Sequence, residues 1–139
     1  MRFMILVRAN AQSESETDPA GPDPALIKAM ADYHEELVKA GVLLDANGLK
    51  PSRDGWRIHY GANGERRVID GPFAEAKELV AGYTLIEVRS REEALEWTRR
   101  FPAPFLGIDC EIEVRPIWEL DDFTPSPDVE RFRQMPHNR

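Results

Sequence analysis

The chain reads as an α+β domain, a split βαβ sheet with its helices on one face. Three observations predict it. The length, 139 residues, is that of one domain. Strand-like and helix-like runs follow the order β-α-β-β-β-(turn or short helix)-β-α-β, and both long helices join strands. Two of the strands are apolar on both faces, as strands covered on both sides must be.

Phe3 to Val7 is an unbroken apolar run ending at Arg8, a buried strand. Asn10 to Pro22, rich in Ser, Glu, Asp, Ala and Pro, is a loop. Asp23-Pro24 starts a helix, the aspartate as N-cap and the proline where a missing N–H costs nothing. The helix runs to Ala40 and stops at Gly41, with Ile27, Met30, Leu37 and Val38 on one stripe. Val42 to Leu44 begins a short strand, which Leu49-Lys50-Pro51 ends. Trp56 to Tyr60 alternates, which predicts one buried face, and Asn63-Gly64 turns it into a partner at Arg66 to Ile69. Tyr83 to Val88 is the next strand. Ser90 and Glu93 form a capping box for a helix reaching about Phe101 and stopped by Pro102. Glu111 to Arg115 is the last strand. The domain thus covers residues 1–120. Residues 121–139 form a tail suited to packing on a partner subunit, with Asp128 to Gln134 able to make two helical turns.

This element order is that of a ferredoxin-like sheet. Such a sheet carries helices on one side only. Yet Met4 and Leu6 oppose Phe3, Ile5 and Val7, and Tyr83 and Leu85 oppose Thr84, Ile86 and Val88. The second apolar face needs a cover, and a second copy of the chain supplies it most simply, so a homodimer is expected.

Composition narrows the function. A net charge of -7 disfavours direct nucleic-acid or anionic-membrane binding. No apolar run approaches the roughly 20 residues of a membrane span. The start of the chain does not resemble a signal peptide, and the single cysteine, Cys110, allows no internal disulfide, so a cytoplasmic protein is expected. His34, His59 and His137 with one cysteine have no metal-ligand spacing, and no phosphate loop, nucleophile elbow or dinucleotide fingerprint is present, so no cofactor is expected. Core packing is the default for Trp56, Trp97 and Trp118.

Two residues are candidates for chemistry. Asp70 stands in Asp70-Gly71-Pro72-Phe73. A turn aspartate ordinarily bonds the N–H two residues on, which Pro72 lacks. It is then either the N-cap of a short helix through Glu78, bonding the Phe73 N–H, or a general base left free for a ligand. Gly71 suits its pre-proline position and would accept positive φ. His34 lies four residues after Met30 and three before Leu37, at the edge of the apolar stripe. It is either a satisfied boundary residue or a proton shuttle in a pocket between the first helix and the sheet. His59 falls on the exposed side of its strand.

The run Asp70 to Glu78 resembles the signature of the DGPF branch of the YCII-related domain family. Ala40 to Leu44, Gly48 to Pro51, Gly82-Tyr83, Glu93 to Trp97 and Glu113 to Pro116 resemble the same family. The resemblance implies a ferredoxin-like domain that dimerises into an α/β-barrel-type assembly. It also implies enzymatic activity from a histidine and an aspartate, with no assigned reaction. The aspartate carries over to Asp70. The family's histidine, about three helical turns before the helix-ending glycine, falls on Met30, and His34 is one turn later on the same face. The branch is similar to domains found fused to sigma factors, which implies a transcription-linked role.

Three readings follow, the last a plain dimeric scaffold in which the signature only shapes a turn. The first is a small-molecule enzyme or ligand-binding protein using Asp70 and His34 for acid–base chemistry of lyase, isomerase or hydrolase type. The alternative is a regulatory module acting through a sigma-factor-type protein partner.

Overall fold

The computed structural model describes residues 1–14 and 23–136. The chain runs β1 (Arg2–Arg8), α1 (Ala11–Glu14), α2 (Pro24–Lys39), β2 (Leu43–Gly48), β3 (Trp56–Tyr60), β4 (Arg66–Asp70), β5 (Val80–Glu87), α3 (Arg91–Arg99), β6 (Ile112–Pro116) and α4 (Pro127–Arg133). It is a mixed α+β fold. Four strands form one antiparallel sheet in the order β2-β5-β1-β6, and β3 and β4 form a separate hairpin.

Local chemistry sets most boundaries. The Asp23 carboxylate accepts the Ala25 N–H at 2.9 Å, and Pro24 opens α2. Gly41 ends it at φ +74°, a conformation that favours glycine. At α3 the Ser90 hydroxyl accepts the Glu93 N–H, while the Glu93 carboxylate reaches one residue further back than expected, to the Arg89 N–H. α3 ends at Arg99, two residues short of the expected Phe101. Ser126 caps α4, which covers nearly the expected turns in the tail.

The core lies on one face of the sheet. Phe3 pairs with Ile86 and Ile5 with Thr84 across β1 and β5. Tyr33 and Leu37 of α2 and Ala94 of α3 close over them, joined by Val42 and Val88. Each such apolar side chain taken from water contributes about 1.5–3 kcal/mol. On the other face Met4 pairs with Leu85 and Leu6 with Tyr83, all four only half-buried.

Several expectations are corrected. The α2 stripe is rotated: Tyr33 and Leu37 are buried, whereas Ile27 and Val38 are exposed, because the helix turns its aromatic ring rather than Val38 to the sheet. β2 falls within the expected strand segment but is irregular between Leu43 and Asp45, which admits one extra residue there. The expected loop 10–22 contains α1; its residues 15–22, like His137, lie outside the described residues. The hairpin buries neither face: Trp56 is 65% and Tyr60 63% exposed, because no strand of the main sheet pairs with it. Trp118 is exposed as well, stacked on Phe123 at 5.2 Å, so only Trp97 of the three indoles packs at the core's edge. The signature makes no α-helix, only a 3₁₀ turn at Ala76–Glu78.

A candidate ligand cavity between the first long helix and the sheet

A cavity of about 800 Å³ opens between α2, the β2–β5 edge of the sheet and the 101–106 segment. Its walls are mainly apolar, with Leu26, Ile27 and Met30 from α2, Leu43 from β2 and Phe101 and Phe105 opposite. A mostly apolar hollow with a few convergent polar groups is the usual form of a small-molecule site.

His34 stands in this wall. Its Nδ1 lies 2.6 Å from the Met30 carbonyl oxygen and its Nε2 2.8 Å from the Thr84 hydroxyl. A carbonyl only accepts, so Nδ1 carries the proton, and neutral imidazole must accept from Thr84 at Nε2. The helix places the ring: Met30 is one turn earlier, and Tyr33 and Phe101 meet it edge-on at 5.5 and 6.2 Å. Thr84 projects from β5 on the core face and is 2% exposed. Beside His34, burial pushes the Tyr33 phenol up to about 12, against a smaller opposing effect of the Arg100 charge. The Tyr33 hydroxyl donates to the Trp97 carbonyl at 2.8 Å and ties α2 to α3.

A second polar group sits at the rim. The Tyr83 hydroxyl donates to Asp45 Oδ2 at 2.7 Å. The Asn47 amide donates to the Tyr83 oxygen at 3.0 Å and to Asp45 Oδ1 at 3.3 Å, and the Ala46 N–H donates to Oδ1 at 2.9 Å. No sequence motif marks Asp45, Asn47 or Tyr83 as part of a site. Asp45 and Asn47 alternate along β2 and Asn47 faces Tyr83 across the ladder, but their meeting depends on a register that local pattern does not reveal.

Asp70 is elsewhere. It ends β4 opposite Trp56, is exposed and is not among the residues lining the cavity, so the fold of one chain does not bring it together with His34 there. Nor does it cap the Phe73 N–H, which donates to the Ser52 hydroxyl at 3.0 Å. Ser52 in turn is held by the Glu14 carboxylate, through its N–H at 3.0 Å and through a short bond from its hydroxyl. Among the described residues the Asp70 carboxylate has no hydrogen-bond partner. Gly71 does not use positive φ; a Cβ there would overlap the Ser52 carbonyl. His59 is exposed opposite Arg67.

Among the described residues no group of His, Cys, Asp and Glu could hold a metal ion, and no helix is long and apolar enough to cross a membrane. A curated relative, an uncharacterised protein of Rhizobium meliloti (strain 1021), is 35% identical over 77 residues, 55% of this chain and 61% of that protein. The chain thus spans about three-fifths of that relative's length. The model of the YCII-related domain matches residues 1–120, and the chain belongs to that family.

Proposed function

We propose that this chain binds a small molecule in the α2–sheet cavity and performs acid–base chemistry on it, with His34 as the proton acceptor. The observation that carries this is the His34–Thr84 pair in the wall of a mainly apolar hollow. A ligand proton passed to Thr84 Oγ1 drives the Thr84 hydroxyl proton onto Nε2. Threonine stays neutral, and the imidazolium keeps both N–H groups bonded, to Met30 and to Thr84. This suits lyase, isomerase or hydrolase reactions. The test is a metabolite screen by thermal shift and saturation-transfer NMR on the protein and on His34→Gln. Ligands of the unaltered protein should perturb His34 and lose their turnover in His34→Gln. Hits that leave His34 undisturbed would refute the reading.

We assign Asp70-Gly71-Pro72-Phe73 to the DGPF branch of the family and the fold to the ferredoxin-like split βαβ class, a reading that the strand order β2-β5-β1-β6 supports. We further propose a homodimer. Two surfaces support it: the half-buried Met4, Leu6 and Leu85 face, and the apolar hairpin with Trp56, Tyr60 and Val68 exposed. The dimer would give Asp70, at the hairpin's end, a surface to meet, and through it a part in catalysis beside His34. Light scattering at micromolar concentration should give twice the chain mass, and Trp56→Ser with Tyr60→Ser should lower it. The same exposed hairpin favours, as a second reading, docking on a sigma-factor-type protein partner. In that case light scattering gives a monomer, and a pull-down with such a factor is positive at low salt. A reducing, cytoplasmic location fits the free Cys110.

A further inference from the structure

We infer that the cavity selects a ligand with an apolar body and a cationic amine head, bound at Asp45; this rests on the reading of the cavity as a ligand site. Two independent features of the wall point there. The first is charge. Among the described residues lining the cavity, the charged side chains are Asp23 and Asp45, and none is lysine or arginine. Nor does the sequence hold a basic residue between Arg8 and Lys28, the stretch leading into α2. A carboxylate or phosphate ligand would find no counter-charge, whereas an ammonium would find two.

The second is hydrogen-bond polarity. Asp23 already spends Oδ1 on the Ala25 N–H at the start of α2, where the helix dipole offsets its charge. Asp45 has no such compensation. Its three bonds come from neutral donors, Tyr83, Asn47 and the Ala46 N–H, and no lysine or arginine among the described residues pairs with it. With about four lone-pair positions on a carboxylate, one remains, on Oδ2. The other side chains of the two polar groups have committed their donors. The Tyr83 hydroxyl is used on Asp45, and the Asn47 amide on Asp45 and Tyr83. The Thr84 hydroxyl is used on Nε2, and Nδ1–H on Met30. What these groups still offer a guest is acceptors: Asp45 Oδ2, the Asn47 carbonyl and the Thr84 lone pairs. At these groups a guest that donates is favoured, and a primary ammonium brings three donors and the complementary charge. Asp45 is exposed at the rim, so the head stays partly hydrated while the body enters among Leu26, Met30 and Phe105.

The experiment compares three probes of one shape, 3-phenylpropylamine, 3-phenylpropanol and 3-phenylpropionate. Each is titrated into the full chain by NMR at low and at moderate salt, and into Asp45→Asn. The amine should bind at least ten-fold more tightly than the propionate, and the preference should shrink as salt rises. Asp45→Asn should bring the amine-to-alcohol ratio close to one, with an unchanged ligand-free spectrum elsewhere to show an intact fold. Propionate binding as tightly as the amine would overturn the amine head while leaving the cavity reading standing. So would an unchanged ratio in Asp45→Asn. If none of the three shifts a cavity resonance, both readings fail.

Discussion

Tyr33→Phe measures how α2 is fastened above the cavity. The ring is 5% exposed and packs edge-on against Phe101 at 5.2 Å and Trp97 at 6.4 Å, contacts that phenylalanine keeps. The substitution deletes the bond from the hydroxyl to the Trp97 carbonyl, 2.8 Å long. One such bond is worth about 1 kcal/mol net, which lowers the melting midpoint of a chain this size by about 3–5 °C. The same hydroxyl makes the loss depend on pH. Burial raises the phenol to about 12 from an ordinary 10.0. The unfolded chain therefore releases the Tyr33 proton first. Between pH 10 and 12 it binds fewer protons than the folded chain, so stability falls as pH rises. The stabilisation is complete below pH 10 and gone above 12. Two pKa units correspond to a ceiling of about 2.7 kcal/mol. The tip of the ring feels the exposed Arg100 charge and keeps part of its hydration, so about half that value is expected. Urea unfolding at pH 7, 9, 10 and 11 should show the variant weaker by about 1 kcal/mol at neutrality, and the gap should close toward pH 11. A gap that stays constant across this range would refute the burial argument. A variant as stable as the original at pH 7 would refute the bond.

Three other perturbations test neighbouring parts. Gly71→Ala drives a Cβ into the Ser52 carbonyl, 2.6 Å from its carbon, and must displace backbone; about 2–3 kcal/mol of local stability is lost, read as faster amide exchange at Gly71 and Phe73 with β1 and β5 protected as before. Glu119 is held below the usual carboxylate range by its hydrogen bonds with Arg2, so its stabilisation is present above the unfolded value and is lost as pH falls through the folded one. Glu119→Gln should flatten the acid limb of a stability–pH profile by at most about 1 kcal/mol while changing little in the alkaline range. Thr84→Val keeps the shape of a buried residue but removes the donor to Nε2, costing about 1–2 kcal/mol, and His34 nitrogen shifts in NMR should move; unmoved shifts would show that the 2.8 Å bond does not form in solution.

Where the signal was local, the sequence announced the fold well. Asp23-Pro24 and Gly41 bracket α2, Ser90 opens α3, and Gly64 at φ +86° turns the hairpin. Each depends on residues within a few positions of one another. The failures involve partners far along the chain. The cap alternative for Asp70 fails because the Phe73 N–H bonds Ser52, 21 residues earlier, which no local rule announces. Alternation in Trp56 to Tyr60 implied a buried face, but alternation says only that two faces differ, not that anything covers one. His34 was found as a residue at the edge of a stripe, yet the cavity beside it is closed by the 101–106 segment, whose approach no periodicity encodes.

The signature therefore divides into parts with different physical reasons. Gly71 is small because the Ser52 carbonyl occupies the space a side chain would need. Phe73 is fastened twice, by its N–H on the Ser52 hydroxyl and by the Arg57 guanidinium 3.8 Å above its ring. Ser52 is itself gripped by Glu14, so α1, the 52–54 turn and the signature are tied into one knot at the root of the hairpin. These contacts account for glycine and phenylalanine by architecture alone. They do not account for the aspartate, whose carboxylate bonds nothing among the described residues and which caps no helix. Of the three residues, Asp70 is the one whose side chain finds no partner among the described residues and stays exposed to solvent.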